Sequence, residues 1–134
     1  MSTDLNPDFP VVTGEYLLTK GWHVSLRDEF NRRIEDGSLV LWRPELTFWI
    51  NAWNNEGQAS VDTMLERLVA GASAERTEEQ IEKTGTMARL VYELLDEVNG
   101  YVIYPAGYLQ ISAYYDTPEA RTLACEILRS VRYL

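Results

Sequence analysis

Residues 38–54, SLVLWRPELTFWINAWN, narrow what this chain can fold into more than any other stretch. Two runs of strand-forming residues flank Pro44-Glu45, the pattern of a β-hairpin. If Arg43 and Leu46 close the turn, Leu41 lies opposite Phe48 and Leu39 opposite Ile50. Val40 then faces Trp49, and Trp42 faces Thr47. Successive side chains alternate between the faces of a sheet. Leu39, Leu41, Phe48 and Ile50 therefore share one face, while Val40, Trp42, Trp49 and Trp53 share the other. Both faces are apolar, so the hairpin is expected inside a sheet covered on both sides. Proline at the second turn position suits types I and II, whereas two-residue hairpins favour the mirror-image types. A bulge or a longer loop is expected at Pro44-Glu45, with the register open to a slip by one, which would exchange the faces of one strand.

A chain of 134 residues fits one domain and can bury roughly two thirds of its unfolded surface. The 46% hydrophobic and 25% charged residues are ordinary for a globular protein, which argues against disorder. Twelve basic against twenty-one acidic residues leave a net charge of −9, which repels phosphate backbones and anionic membranes. The expected partner is another protein, basic or hydrophobic, with no nucleic acid and no membrane insertion; the oligomeric state stays open. The single cysteine, Cys125, cannot form an internal disulfide. The opening MSTDLNPDFP is polar and acidic, unlike a signal peptide, and no apolar run approaches the ~20 residues of a membrane span. A cytoplasmic location is the expectation.

Residues 1–14, with Pro7 and Pro10, read as a flexible N-terminal arm, leaving 15–134 as a single α/β domain. Residues 15–20 and 22–26 read as strands, residues 27–33 as a charged connection around Phe30, and residues 32–35 as the start of a further strand. Asp36-Gly37 is a strong hairpin turn signal. Ser60 suits a helix N-cap, with Asp62 in the first turn. Val61, Met64, Leu65, Leu68, Val69 and Ala72 follow as one apolar stripe at helical spacing. Residues 74–84 fit either an exposed helical turn or an edge strand. Residues 87–95 read as a strand, Val98-Asn99-Gly100 as a turn, and residues 101–104 and 108–115 as the last strands of an antiparallel meander. Thr117 caps a closing helix that has Pro118 at its first position, and Ala120, Leu123, Ala124, Ile127, Leu128 and Val131 repeat the stripe. The fold class is therefore α/β of the α+β type: a mainly antiparallel twisted sheet flanked by two amphipathic helices.

Chemistry is sparse. A histidine-activated nucleophile needs a base oriented by a third group, and the only histidine, His23, sits in a strand beside Trp22. Cys125 adjoins the apolar stripe of the last helix without the basic cluster that would activate a thiol. Neither a Cys nor a His pair is present for zinc. Glu78, Glu79 and Glu82 could share a helical face but lack the spacing of a calcium loop. No catalytic, cofactor-binding or metal-binding residue is assigned, no cofactor is expected, and the chain is read as not an enzyme. The unusual feature is aromatic: Tyr92, Tyr101, Tyr104, Tyr108, Tyr114 and Tyr115, with the tryptophans, could line a groove or a binding face. Any of Trp42, Trp49 and Trp53 that the helices leave uncovered is the candidate partner-binding set.

The segments GWHVSL at 21–26, GTMARLVYEL at 85–94 and EILRSVRYL at 126–134, in this order of strands, hairpin, helix, strands and helix, resemble the PsbP-like α/β/α sandwich and its bacterial DcrB-like branch. Members of that group include a photosynthetic extrinsic subunit, a nuclear-transport factor that binds a small GTPase, bacterial lipoproteins, and cytoplasmic adaptors that chaperone secreted effectors. The resemblance implies binding without covalent catalysis and does not choose a partner; the reading adopted is a non-enzymatic protein-interaction domain, an adaptor, chaperone or immunity-type partner of a secreted effector. It supplies no functional residue, and the absence of a cysteine near the start departs from the lipoprotein branch. The alternative is a small-molecule-binding domain with an aromatic-lined pocket between sheet and helix.

Overall fold

The structure, a computed structural model, describes residues 5–134. Four strands come first: β1 (Val11–Thr19), β2 (Trp22–Glu35), β3 (Ser38–Arg43) and β4 (Leu46–Asn54). Helix α1 (Val61–Gly71) leads to β5 (Thr77–Thr84), β6 (Met87–Leu94), β7 (Glu97–Tyr104) and β8 (Gly107–Tyr115). Helix α2 (Pro118–Arg129) and the short β9 (Arg132–Tyr133) close the chain. The strands form one antiparallel sheet in the order β1-β2-β3-β4-β8-β7-β6-β5, and β9 pairs with β2 at Trp22 and His23. Two four-strand meanders thus meet at β4 and β8. The result is a mixed α+β molecule, mostly sheet.

The central hairpin keeps the register expected of it: Leu39 pairs with Ile50, Val40 with Trp49, Leu41 with Phe48 and Trp42 with Thr47. No bulge or longer loop is needed at the turn. Arg43 pairs directly with Leu46 because Glu45 takes φ +72°, the left-handed third position of a type II turn that proline can precede. At Asp36-Gly37 both φ values are positive, +50° and +84°, as a mirror-image hairpin turn requires.

Several boundaries move. Of the arm expected over residues 1–14, residues 1–4 lie outside the described residues, and β1 already begins at Val11, which pairs with Asn31. The carbonyl of Pro10 accepts the Arg32 N–H at 3.0 Å, so the proline's missing donor costs the pairing nothing. Residues 27–33 are not a connection. β2 runs unbroken from Trp22 to Glu35, with Phe30 fully buried and flanking charges such as Arg27 and Asp28 paired to Glu126 and Arg43. Residues 77–84 form an edge strand, every residue exposed, so the helical face shared by Glu78, Glu79 and Glu82 does not exist. Val98-Asn99-Gly100 is not a turn but the middle of β7. The turn lies at Leu95-Asp96, where Asp96 takes φ +57° and Leu95, expected in the strand, is 91% exposed.

Gly100 has a packing reason to be glycine. A Cβ there would sit 2.8 Å from Leu128 Cγ and closer still to Cδ1. The bare backbone of β7 lets α2 settle onto the sheet.

Alternation along β7 shows how the two helices are received. Val98 and Val102 join a large cluster with Ala124, Ile127 and Leu128 of α2, Phe30 of β2, Leu41 of β3 and Phe48 of β4. Ile103, on the alternate set, joins a smaller cluster with Met64 and Leu65 of α1 and Ala88, Leu90 and Tyr92 of β6. Both helices are capped by hydroxyls: Ser60 Oγ accepts from the Thr63 N–H and Thr117 Oγ1 from the Ala120 N–H. On α2, Arg121 grips Glu93 of β6 through two hydrogen bonds, which hold the Glu93 carboxyl below its usual value of 4.5 despite partial burial.

Two outcomes follow from this packing. Gly100→Ala is expected to lower stability by about 1–3 kcal/mol through overpacking. In a Leu128→Ala background the same change should cost clearly less; equal losses in urea denaturation would show that the crowding is not against Leu128. Because the folded Glu93 carboxyl is depressed, its contribution is present above 4.5 and is lost as pH falls below that through the folded value. Glu93→Gln should flatten that acid limb in thermal melts taken across pH, and an unaltered limb would assign it to other carboxylates.

Candidate interaction surface

The side of the sheet that receives α1 is only partly filled by it. Register places Tyr92, Asn99, Ser112, Trp49, Val40 and Arg33 side by side across six strands. On one side of this row lies Leu94-Glu97-Tyr114-Thr47-Trp42-Asn31, in the same strand order. On the other side, Leu90, Tyr101, Gln110 and Asn51 continue toward Ser38, whose Oγ donates to Asn51 Oδ1 at 2.9 Å. α1 covers β6 and β7 at one flank of these rows.

The opposite flank is taken by residues 5–10. Asn31, fully buried, reads their backbone: its Oδ1 accepts the Asn6 N–H at 2.7 Å, and its Nδ2 donates to the carbonyls of Asn6 at 2.9 Å and Phe9 at 3.2 Å. The Phe9 ring meets Trp42 edge-on at 5.0 Å. A buried amide with every bond made to one segment is a strong anchor, because losing that segment leaves the amide's polar groups unpaired.

Between the two flanks lie Trp49, Thr47, Asn51, Gln110 and Ser112, each partly exposed. Trp42, Trp49, Trp53 and Tyr114 pack in neither apolar cluster. Trp53 is 43% and Tyr114 46% exposed. Trp53 stacks on Tyr108, centroids 5.2 Å apart and planes 23° from parallel, and Tyr101 meets Tyr108 edge-on. The guanidinium of Arg33 lies 4.5 Å from the Trp42 ring centroid and 5.9 Å from that of Trp49, while its Nε donates to Glu35 Oε1 at 3.0 Å. Deeper in the face, Ser112 Oγ donates to Asn99 Oδ1 at 2.8 Å and Asn99 Nδ2 to Glu97 Oε2 at 2.7 Å. Aromatic rings interleaved with satisfied amides and hydroxyls make a surface stable in water and able to bury more.

The three tryptophans singled out from the sequence therefore lie on one face. Trp49 and Trp53 face the uncovered part, and Trp42 is partly roofed by Phe9. The expected tyrosine set divides. Tyr101, Tyr108 and Tyr114 join this face, Tyr92 is buried in the cluster with α1, and Tyr104 and Tyr115 pack against the cluster under α2. Asn31 and Arg33 were hidden by the reading of residues 27–33 as a connection. Their signal is the alternation Asn31, Arg33, Glu35 against Phe30 and Ile34.

Burial, reinforced by Tyr92, pushes the Tyr101 hydroxyl up to about 12, and burial raises Tyr108, so both stay protonated donors at neutral pH. Burial likewise raises the half-buried Cys125 thiol against the pull of Arg121. His23 pairs with Leu17 and Arg132, outside the part of β2 that pairs with β3. Among the described residues no group of three His, Cys, Asp or Glu could hold a metal ion, and no helix is long and apolar enough to cross a membrane. A cleft of about 280 Å³ opens between α1 and the loop after β4, lined by Asn55, Glu56, Met64, Arg67, Leu68 and Tyr108 among others.

Asn31→Ala should free residues 5–10, speeding proteolytic cleavage within them and red-shifting the tryptophan emission as Trp42 loses its cover. Unchanged cleavage would mean that Phe9 alone holds the segment. Neither known family models nor curated protein sequences give a match to this chain.

Proposed function

We propose that this chain is a non-enzymatic protein-interaction domain whose open sheet face, centred on Trp49 and Trp53, receives a segment of another protein. The observation that carries the reading is that face itself: rings of the type that dominate interface hot spots stand partly exposed on the central strand β4, outside both apolar clusters. A rigid sheet bearing aromatic rings presents contact area at low entropic cost. Helices associated with alternate faces of an antiparallel sheet fit the PsbP-like sandwich that the sequence resembles, and with it the role of a cytoplasmic adaptor, chaperone or neutralising partner of a secreted effector. The net charge of −9 disfavours nucleic acid and steers basic partners toward the domain.

A second reading, a small-molecule binder, draws on the cleft beside Tyr108 and α1. At about 280 Å³ it falls just below the ~300–1,000 Å³ of ordinary ligand sites, which ranks this reading second.

Affinity capture from the host, comparing the wild-type chain with Trp53→Ser and Tyr114→Ser, separates the readings. Both rings are exposed, so the variants should fold, as circular dichroism would verify. A protein held by the wild type and lost with either variant is the expected result. Identical protein sets on all three chains would sink the assignment of the face.

A further inference from the structure

The chain itself shows what its tryptophans accept. Arg33, reaching over the face from β2, rests its guanidinium against Trp42 and Trp49. Flat, electron-rich rings attract a cation most strongly when partly shielded from water, and these rings sit in a sheet where one side is already dry. Trp53, backed by Tyr108, offers the same kind of platform. Among the described residues no cation lies over it.

The charges around the face point the same way. Within its rows the ion pair is Arg33 with Glu35. At the strand ends, Asp36, Glu45 and Asp96 occupy the tight turns at positive φ, Glu97 begins β7, and Glu56 lines the cleft beside Tyr108. None of these five carboxylates has an ion-pair partner among the described residues. One cation, Arg67 of α1, lines the cleft with Glu56. Elsewhere the basic residues are largely spent: Arg27 of β2 is paired with Glu126 of α2, Arg121 of α2 with Glu93 of β6, Arg89 and Lys83 are paired around β5, and Arg132 at β9. The face is an aromatic floor with carboxylates at its strand ends that lack ion-pair partners among the described residues.

We infer that the segment received by this face is a basic, apolar stretch of the partner, with an arginine or lysine cation seated on Trp53 and further cations drawn to the carboxylates at the strand ends. The inference rests on the interaction face proposed above and names the chemistry of its occupant. Apolar side chains of that segment would cover Trp49 and Thr47, between the flanks held by α1 and residues 5–10. Cation–ring contact supplies the specificity, while the carboxylates speed encounter and are weakened by salt.

The test uses the full chain and a short synthetic peptide of alternating arginine and leucine, against the same peptide with glutamine in place of arginine. Calorimetric titration should show the arginine peptide binding at least about tenfold more tightly at low salt, with the difference shrinking as salt is added. Trp53→Ala should weaken it by about three- to tenfold, and Glu97→Gln with Glu56→Gln should weaken it further. Glu78→Gln, on the exposed edge strand β5, removes a charge away from the face and should change nothing. Equal binding of the two peptides, or a loss with Glu78→Gln as large as with Glu97→Gln, would overturn the inference. Should partner capture still depend on Trp53 and Tyr114 in that case, the interaction face stands and its occupant is not basic. If capture is insensitive to both rings, the face itself is wrong.

Discussion

The pairing of β4 with β8 is the interaction on which the rest depends. Nine consecutive residue pairs, from Leu46 with Tyr115 to Asn54 with Gly107, join two meanders that are otherwise local in sequence. Each meander alone would present an open edge with a row of unmatched backbone groups. Joined, they form one sheet whose side chains pack in two clusters, one with α2 and one with α1. The close approach shows at Gly107, which takes φ +152° and whose Cβ would collide with the Trp53 carbonyl. Glycine at the start of β8 is what allows the strand to lie against the end of β4.

That one pairing also gives the two faces different fates. On one, Phe48 and Ile50 of β4 align with Ala113 and Ile111 of β8, and α2 seals them with Ala124, Ile127 and Leu128. On the other, Trp49 aligns with Ser112 and Trp53 with Tyr108. Here α1 contributes two buried side chains, Met64 and Leu65, and stays over β6 and β7. Residues 5–10, tied down by Asn31, cover Trp42 from the other flank. A large cover on one side and two partial covers on the other leave the face on which the functional reading rests. The sheet borders suit this division, since β5, wholly exposed and carrying a bulge between Thr77 and Gln80, makes a poor template for edge pairing.

Much of this was legible because local physical signals agreed. The hairpin register followed from alternation, and the helix starts from Ser60, Thr117 and Pro118. Errors fell where a tertiary contact outweighed a local preference. Val98-Asn99-Gly100 looks like a turn, yet Gly100 is there for Leu128 and not for a bend. Residues 27–33 look like a connection because charges crowd around Phe30, yet Phe30 and Asn31 pair with β1 and residues 31–33 with β3, and only residues 27–29 fall in a register shift of the β1 pairing. Alternation alone puts the tryptophans of the hairpin on one face, whereas the charges around Phe30 masked the alternation that sets Asn31 and Arg33 beside them.

The sequence by itself determined the elements: which residues could be strand or helix, where helices begin, and that each strand of the central hairpin has two apolar faces. It could not determine how much of each face would be covered. That depends on where α1 lands after crossing from β4 to β5, on residues 5–10 folding back onto Asn31, and on β8 returning to the middle of the sheet. Each of these joins residues far apart in the chain. Periodicity reports which way a side chain points, whereas exposure is set by what arrives from elsewhere to meet it, and only the tertiary structure holds that information.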